Sequence, residues 1–363
     1  MNKQKIYING RFLTQRTTGV QRVAIGLVKA LDGILSEDEC LSSKYEIILI
    51  CPSYAIFTMS FNKVKILKRG FLTGHLWEQF ELPFYSYNYL LINLCNVSPL
   101  TKKNQLAIIH DSAVFAYPAA YSFIFRLWYK INYFVTSRRS KGIITVSEFS
   151  KKELAKFLSI NADRIEVIYP ASAFKSIERV HQRNTAHQKP YVLAVSSLNP
   201  QKNVRGIISA FHHLQDININ LFVVGGDNTQ IFKSIGIIED LPNVKFLGYV
   251  SDERLTDLYQ NALCFVYPSF YEGFGLPPLE AMAYGCPVIV SNRASLPEVC
   301  GDAALYCNPD EPANIAEAIR KLYKSDELQE ELIKNGFEQL KNFCFRKGAS
   351  SLLSLIKQHT PTA

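Results

Sequence analysis

Glu272 and Glu280 are the first residues in this sequence whose types and spacing suggest chemistry. They are separated by seven residues within YPSFYEGFGLPPLEAMAYGCPVIVSN, residues 267–292. Glu272 falls in a Gly-rich loop after an apolar run that should end near Pro268. Glu280 falls on the next helix, in its expected first turn. Open α/β sheets bind ligands at the carboxyl ends of their strands, so both carboxylates would sit on that edge. Gly273 and Gly275 let the backbone approach a ligand closely. The helix start at Pro277–Pro278 is expected to present free N–H groups and a positive dipole end, which suits a phosphate. A tight turn, or a Glu matched to the helix dipole, explains either carboxylate alone; the combination is harder to explain that way.

Two features of the first half point to the same kind of edge. Thr18, Gly19 and Val20 lie between the first strand and the first helix, where Gly19 lets the backbone come near a phosphate. His110 and Asp111 close the run QLAIIHD, where a His at a strand's carboxyl end can face a ligand or relay a proton. Neighbours on an extended strand face opposite sides, which weakens Asp111 as the group that fixes the His110 tautomer.

Positioning such residues takes a sheet edge, and the sequence supplies two. Strands are expected at 5–9, 45–51, 89–94, 105–111, 141–147 and 164–170, with helices at 19–35 and 148–158. Residues 176–190, SIERVHQRNTAHQKP, are polar and read as a linker. Strands resume at 191–197, 220–226, 244–250, 263–269 and 287–291, with helices between them. One of these has Ser251 as N-cap, with Asp252 and Glu253 in its first turn. A last helix is expected near 347–357. Strand–helix alternation implies parallel sheets covered on both faces. The fold class is therefore α/β, with two doubly wound, Rossmann-like domains at 1–175 and 191–345.

The chain has 363 residues, enough for two domains and a large core. Apolar residues make up 48 % and charged ones 20 %, which excludes disordered, collagen-like and coiled-coil chains. The net charge of +8 divides into +11 over residues 1–175 and −3 over 176–363. That asymmetry suggests different partners for the two halves. Nucleic acid is not an expected partner, because the basic residues are scattered and no binding motif appears. The eight cysteines form no C-x-x-C pair and have no His at zinc spacing, so reduced thiols and no metal site are expected. A signal peptide is not expected, since MNKQKIYINGRF runs straight into a strand. The longest apolar stretch, 47–61, is broken by Pro52 and is short of the ~20 residues of a membrane span. The expectation is a cytoplasmic protein, peripheral to the membrane if attached at all. AYSFIFRLWYKINYFVTSRRSKG, residues 120–142, is either a domain helix with a basic last turn or a surface that rests on anionic lipid. Lys63, Lys65, Lys68, Arg69, Lys102 and Lys103 add positive charge to the same half.

The segment 267–292 resembles the E-x7-E signature of retaining glycosyltransferases of family 4. These have the GT-B fold, two Rossmann-like domains facing a cleft. LAVSSLNPQKNVRGIISAF, FLGYVSDERLTDLYQNA and SNRASLPEVCGDAALYCNPDEPANIAEAI resemble the same family, as do TTGVQRVA, IIHDSAVFAYP and ITVSEFSKKEL. The resemblance covers nearly the whole chain and is densest over 191–345. It implies an acceptor-binding N-terminal domain, onto which the last helix crosses back, and a donor-binding C-terminal domain. Lys202, in the P-x-K-N element, would bind the donor's diphosphate, where a fixed cation neutralises charge developing on the leaving group. Glu272 would approach the donor sugar, and Glu280 would hydrogen-bond the ribose. Gly273, Phe274, Gly275 and Leu276 would offer backbone to the sugar and phosphate. Ser197, Gly225, Tyr249 and Val250 would complete the donor site, with Gly19 and His110 facing it from the other domain. Where many relatives place an Arg, six residues before the lysine, this chain has Ser196. Gln201 precedes the lysine, and Arg205 is a weak replacement inside a helix pattern.

In the family's usual account, the acceptor hydroxyl attacks from the face the diphosphate leaves. The departing phosphate oxygen serves as base. The resemblance thus implies a retaining hexosyltransferase that uses a nucleotide sugar and needs no metal or other cofactor. Mannose from GDP-mannose is the favoured donor group, with dTDP-rhamnose or a UDP-sugar as the alternative. The acceptor would be a glycan, a lipid-linked oligosaccharide of bacterial O-antigen or capsule synthesis. A nucleotide-sugar 2-epimerase or a non-catalytic relative is the reading from another class. A dinucleotide dehydrogenase is disfavoured, because no G-x-G-x-x-G follows a strand.

Overall fold

The structure, a computed structural model, describes residues 3–172, 189–196, 199–226 and 242–360. Ser197 and most of the 176–190 segment lie outside the described residues. The chain divides into two units, residues 1–173 with 343–363 and residues 174–342.

The strands of the first unit are β1 (Gln4–Asn9), β2 (Tyr45–Cys51), β3 (Lys65–Lys68), β4 (Leu90–Asn93), β5 (Gln105–Ile108), β6 (Gly142–Thr145) and β7 (Ile165–Val167). They form one parallel sheet in the order β3-β2-β1-β4-β5-β6-β7. In the middle of the sheet, Ile6 pairs with Ile47 on one side and Leu90 on the other. β4 and β5 are buried at every residue, including Asn93 and Gln105, where Asn93 Nδ2 donates to Gln105 Oε1 at 2.9 Å. The helix Gly19–Glu37 buries Leu27, Leu31 and Leu35 at four-residue spacing. The C-terminal helix Phe345–His359 packs against it and belongs to this unit. Gly26 makes that contact possible, because a Cβ there would stand in the Phe345 ring.

Several stretches depart from the sequence reading. β3 and the last strand of the second sheet, both at sheet edges, are strands where none is expected. Residues 74–85, where no element is expected, form a helical stretch with a π turn at Trp77–Glu81. The strand expected to run to Asp111 leaves the sheet after Ile108. There the His110 N–H donates to Asn96 Oδ1 at 2.8 Å instead of to a neighbouring strand. Lys102 is not a surface cation. Its Nζ is buried and donates to the carbonyls of Ser86 and Tyr87, and burial pulls its pKa down to about 8.

The second unit has β8 (Tyr191–Val195), β9 (Asn220–Val224), β10 (Val244–Gly248), β11 (Cys264–Tyr267), β12 (Val288–Ser291) and β13 (Ala304–Cys307). They too are parallel, in the order β10-β9-β8-β11-β12-β13. The chain steps outward one way from β8 and the other way from β11. The crevice beyond the carboxyl ends of β8 and β11 is therefore the topological switch point, where doubly wound sheets bind ligands. Ile207, Phe211, Val223, Val266 and Ile319 are among the fully buried side chains that hold the helices to this sheet. Among the described residues, no helix is long and apolar enough to cross a membrane.

Candidate active site

Because the strands of the second unit are parallel, the turns that leave β8, β9, β10 and β11 share one edge. Hydrogen bonds tie these turns together. Gly225 N–H donates to Gly248 O at 2.7 Å, and Ser196 N–H to Val224 O at 2.9 Å. Gly225 has φ +103°, and a Cβ on it would strike the Ser196 carbonyl. Glycine alone fits that position. Tyr249, more than half exposed, and Val250 follow β10 in the adjoining turn. Across the switch point, Phe270 N–H donates to Gln201 O at 2.8 Å, which joins the loop after β8 to the loop after β11.

Lys202 and Glu272 lie in those two loops and meet. Lys202 Nζ stands 2.7 and 2.8 Å from the two Glu272 carboxylate oxygens and 2.8 Å from the Tyr267 hydroxyl. Burial alone would lower the Lys202 pKa. The negative Glu272 carboxylate, aided by Tyr267, outweighs burial and holds the ammonium above the ordinary lysine range. Burial and the same carboxylate push the Tyr267 phenol up. The cluster is thus a charged ammonium gripped by a carboxylate and a neutral phenol. Tyr267 is a site residue that the sequence reading missed. The available signal was a tyrosine ending an otherwise apolar strand at the ligand edge.

Ser295 fixes the loop that carries Glu272. Its hydroxyl donates to Glu272 O at 3.0 Å and to Phe274 O at 2.7 Å. Gly275 caps the following helix, Leu276–Ala283, at φ +101°. Glu280 is buried on that helix but lies in its second turn, because the helix begins at Leu276, ahead of both prolines. That start also limits the expected N–H cluster. Pro277 and Pro278 have no N–H, so Leu276 alone supplies one among the first three helical residues. Arg205 is exposed on the helix Val204–His212, whose N-cap Asn203 bonds the carbonyls of Pro268 and Pro309.

Gly19 and His110 belong to the first unit. Gly19 is the exposed first residue of its helix, behind Thr18, whose N–H donates to Gln21 Oε1 at 3.1 Å. His110 is buried, with Nε2 2.9 Å from the Leu94 carbonyl. A carbonyl only accepts, so Nε2 carries the proton and Nδ1 is an acceptor. Burial pulls the His110 pKa down to about 4, against a smaller opposing effect of the Leu94 bond. At neutral pH the ring is therefore uncharged. Its tautomer is set by Leu94, while Asp111 Oδ1 accepts the Ala113 N–H. A second polar cluster, also missed, lies beyond β1 and β4. Buried Glu78 accepts from Asn9 Nδ2 at 2.7 Å and pairs with Arg11 and His75, each at 3.1 Å.

Comparison with known proteins decides the family. The family model described as glycosyl transferases group 1 matches residues 176–339. O-antigen chain mannosyltransferase RfbU of Salmonella typhimurium is 30 % identical over 326 residues, 87 % of this chain and 90 % of that protein. The chain belongs to the glycosyl transferases group 1 family. O-antigen chain mannosyltransferase B of Escherichia coli is 34 % identical over 231 residues, 60 % of this chain but only 61 % of that protein. Among solved structures, sucrose-phosphate synthase of Thermosynechococcus elongatus superposes with a TM-score of 0.74 at 18 % identity, covering 98 % of this chain and 99 % of that one. The fold of this group 1 glycosyltransferase is GT-B.

Proposed function

We propose that this glycosyltransferase moves a mannosyl group from GDP-mannose to a lipid-linked glycan of O-antigen type. The observation that carries the reading is the Lys202–Tyr267–Glu272 cluster at the switch point. It stands in a chain that is 30 % identical over 90 % of a protein named as an O-antigen mannosyltransferase. The bond from the sugar C1 to the diphosphate oxygen breaks. A bond from C1 to the acceptor oxygen forms on the same face, and the acceptor proton passes to the departing phosphate. Lys202 neutralises that phosphate. The arriving diphosphate competes with Glu272 for the ammonium, so Glu272 gains freedom to face the sugar as donor binds.

Glu280 takes the ribose hydroxyls. Backbone groups at Gly273, Phe274, Gly275 and Leu276 meet sugar and phosphate, and Gly225, Tyr249 and Val250 meet the nucleoside. Within the first unit, the exposed Gly19 backbone is open to a ligand, and His110 Nδ1 is left to accept from a hydroxyl. A neutral His with its other nitrogen committed to Leu94 suits orientation better than proton donation. The site carries its own cation, and no metal is required. GDP-mannose should raise the melting temperature of the purified protein more than UDP-glucose or dTDP-rhamnose does, since a ligand that binds only the native state stabilises it. Transfer should persist in EDTA. Equal shifts with all three donors, or activity that needs added divalent metal, would contradict the reading.

A further inference from the structure

The helix Phe123–Arg139 is inside out. Its buried residues are Asn132, Tyr133, Thr136 and Ser137. Its outer side carries Phe123, Ile124, Leu127, Ile131 and Phe134, each at least 43 % exposed. A helix surrounded by water shows the opposite pattern. The stretch 74–85 is similar: Trp77 and Leu82 are buried, while Phe80 and Phe84 are 67 % and 77 % exposed. Eleven of the fourteen exposed large apolar side chains among the described residues fall within 71–87 and 123–134. That concentration differs from the scatter of an ordinary surface.

The two stretches meet where the His75 and Trp128 rings stand edge to face, 5.6 Å between centroids. Between them lies a groove of about 810 Å³, walled by Leu76, Phe80, Leu100, Ile124, Phe125 and Trp128. Gln79 also borders it, but its amide is committed to Ser98 and Leu100. Such walls suit hydrocarbon. No acidic residue occurs from 112 to 147, against Arg126, Lys130, Arg138, Arg139 and Lys141. The acids of the other stretch are occupied: Glu78 is buried with Arg11, and Glu81 accepts the N–H groups of Phe71 and Leu72. Arg138 lies over the Phe134 ring at 3.5 Å from its centroid, and Arg126 over Phe123 at 5.9 Å.

We propose that these two stretches dock on an anionic bilayer, with one hydrocarbon chain of that leaflet lying in the groove. The inference rests on the lipid-linked acceptor reading and names the surface that meets the membrane. Rings and aliphatic side chains enter the acyl region, while the arginines reach up to lipid phosphates. A second copy of this chain would set one row of cations against another, which disfavours a dimer through this face.

The chain has two tryptophans, and Trp77 is fully buried, so Trp128 reports from the groove. Phosphatidylglycerol vesicles with brominated acyl chains should quench Trp128 emission in the whole protein, and Trp128→Phe should remove that quenching. Phosphatidylcholine vesicles should bind about tenfold less or weaker still, given ~1 kcal/mol per basic residue at an anionic surface. Phe80→Glu with Ile124→Glu, both at exposed positions, should abolish co-sedimentation without unfolding the chain. Vesicle binding without quenching overturns the groove assignment. Absence of binding, or a dimer that the same double substitution dissociates, overturns the membrane assignment. None of these readouts uses a nucleotide sugar, so their failure is distinct from failure of the transferase reading.

Discussion

Lys202 and Glu272 neutralise each other where little water reaches, so removing one strands the other. Breaking a wholly buried pair costs about 3–5 kcal/mol, and the residual exposure of Lys202 lowers that here. Lys202→Ala should therefore destabilise the second unit in urea by somewhat less than that range. The Lys202→Ala, Glu272→Ala double variant should lose less than the sum of its single variants. Tyr267→Phe removes one bond to a charged group, a loss of about 1.5–3 kcal/mol by denaturant titration. It should leave more transfer activity than Lys202→Ala. His110 makes stability depend on pH in a defined direction. Its pKa is near 4 when folded and near 6.5 when unfolded, so the unfolded chain binds more protons between those values. Stability from this group is complete above pH 6.5 and is lost as pH falls through 4, by up to about 3 kcal/mol. His110→Asn should flatten the fall in melting temperature over that window.

At the scale of elements, the site depends on how closely neighbouring turns approach. Gly225→Ala would put a Cβ against the Ser196 carbonyl at a φ that L-residues rarely adopt. Strain of about 1–3 kcal/mol is the expected cost. The variant should fold, by circular dichroism, but lose nucleotide-dependent thermal stabilisation. The central strands were legible because β2, β4, β8 and β11 are dominated by apolar residues. β3 was not, because Lys65 and Lys68 flank only two apolar residues and tertiary pairing, not local pattern, makes it a strand. The 74–85 helix was illegible for a related reason: its apolar residues lie on the outside as well as the inside. Glu272 and Glu280 were named from their local spacing, and Lys202 from the resemblance of its P-x-K-N element to the family. The direct contact between Lys202 and Glu272 was not legible. Tyr267 and Glu272 lie 65 and 70 residues from Lys202, and only the sheet order brings them together.

For the whole molecule, the surplus of +11 in residues 1–175 belongs to the half with the apolar face, and the half with the Lys202 cluster is near neutrality. Ending the chain at Asn342 would remove the helix Phe345–His359, which buries Leu352, Leu353 and Ile356 in the first unit. Limited proteolysis should then attack the first unit selectively, while nucleotide still protects the second. The central claim is mannosyl transfer that runs through the Lys202–Glu272 cluster. It is tested most directly by supplying radiolabelled GDP-mannose and a lipid-linked glycan extract to the wild type, Lys202→Ala and Glu272→Gln proteins. The wild type should label the glycolipid, Lys202→Ala should fall about 10²–10³-fold, as when a donor to developing charge is removed, and Glu272→Gln should fall as well. Undiminished transfer by both variants, or no transfer by the wild type from GDP-mannose, would contradict it.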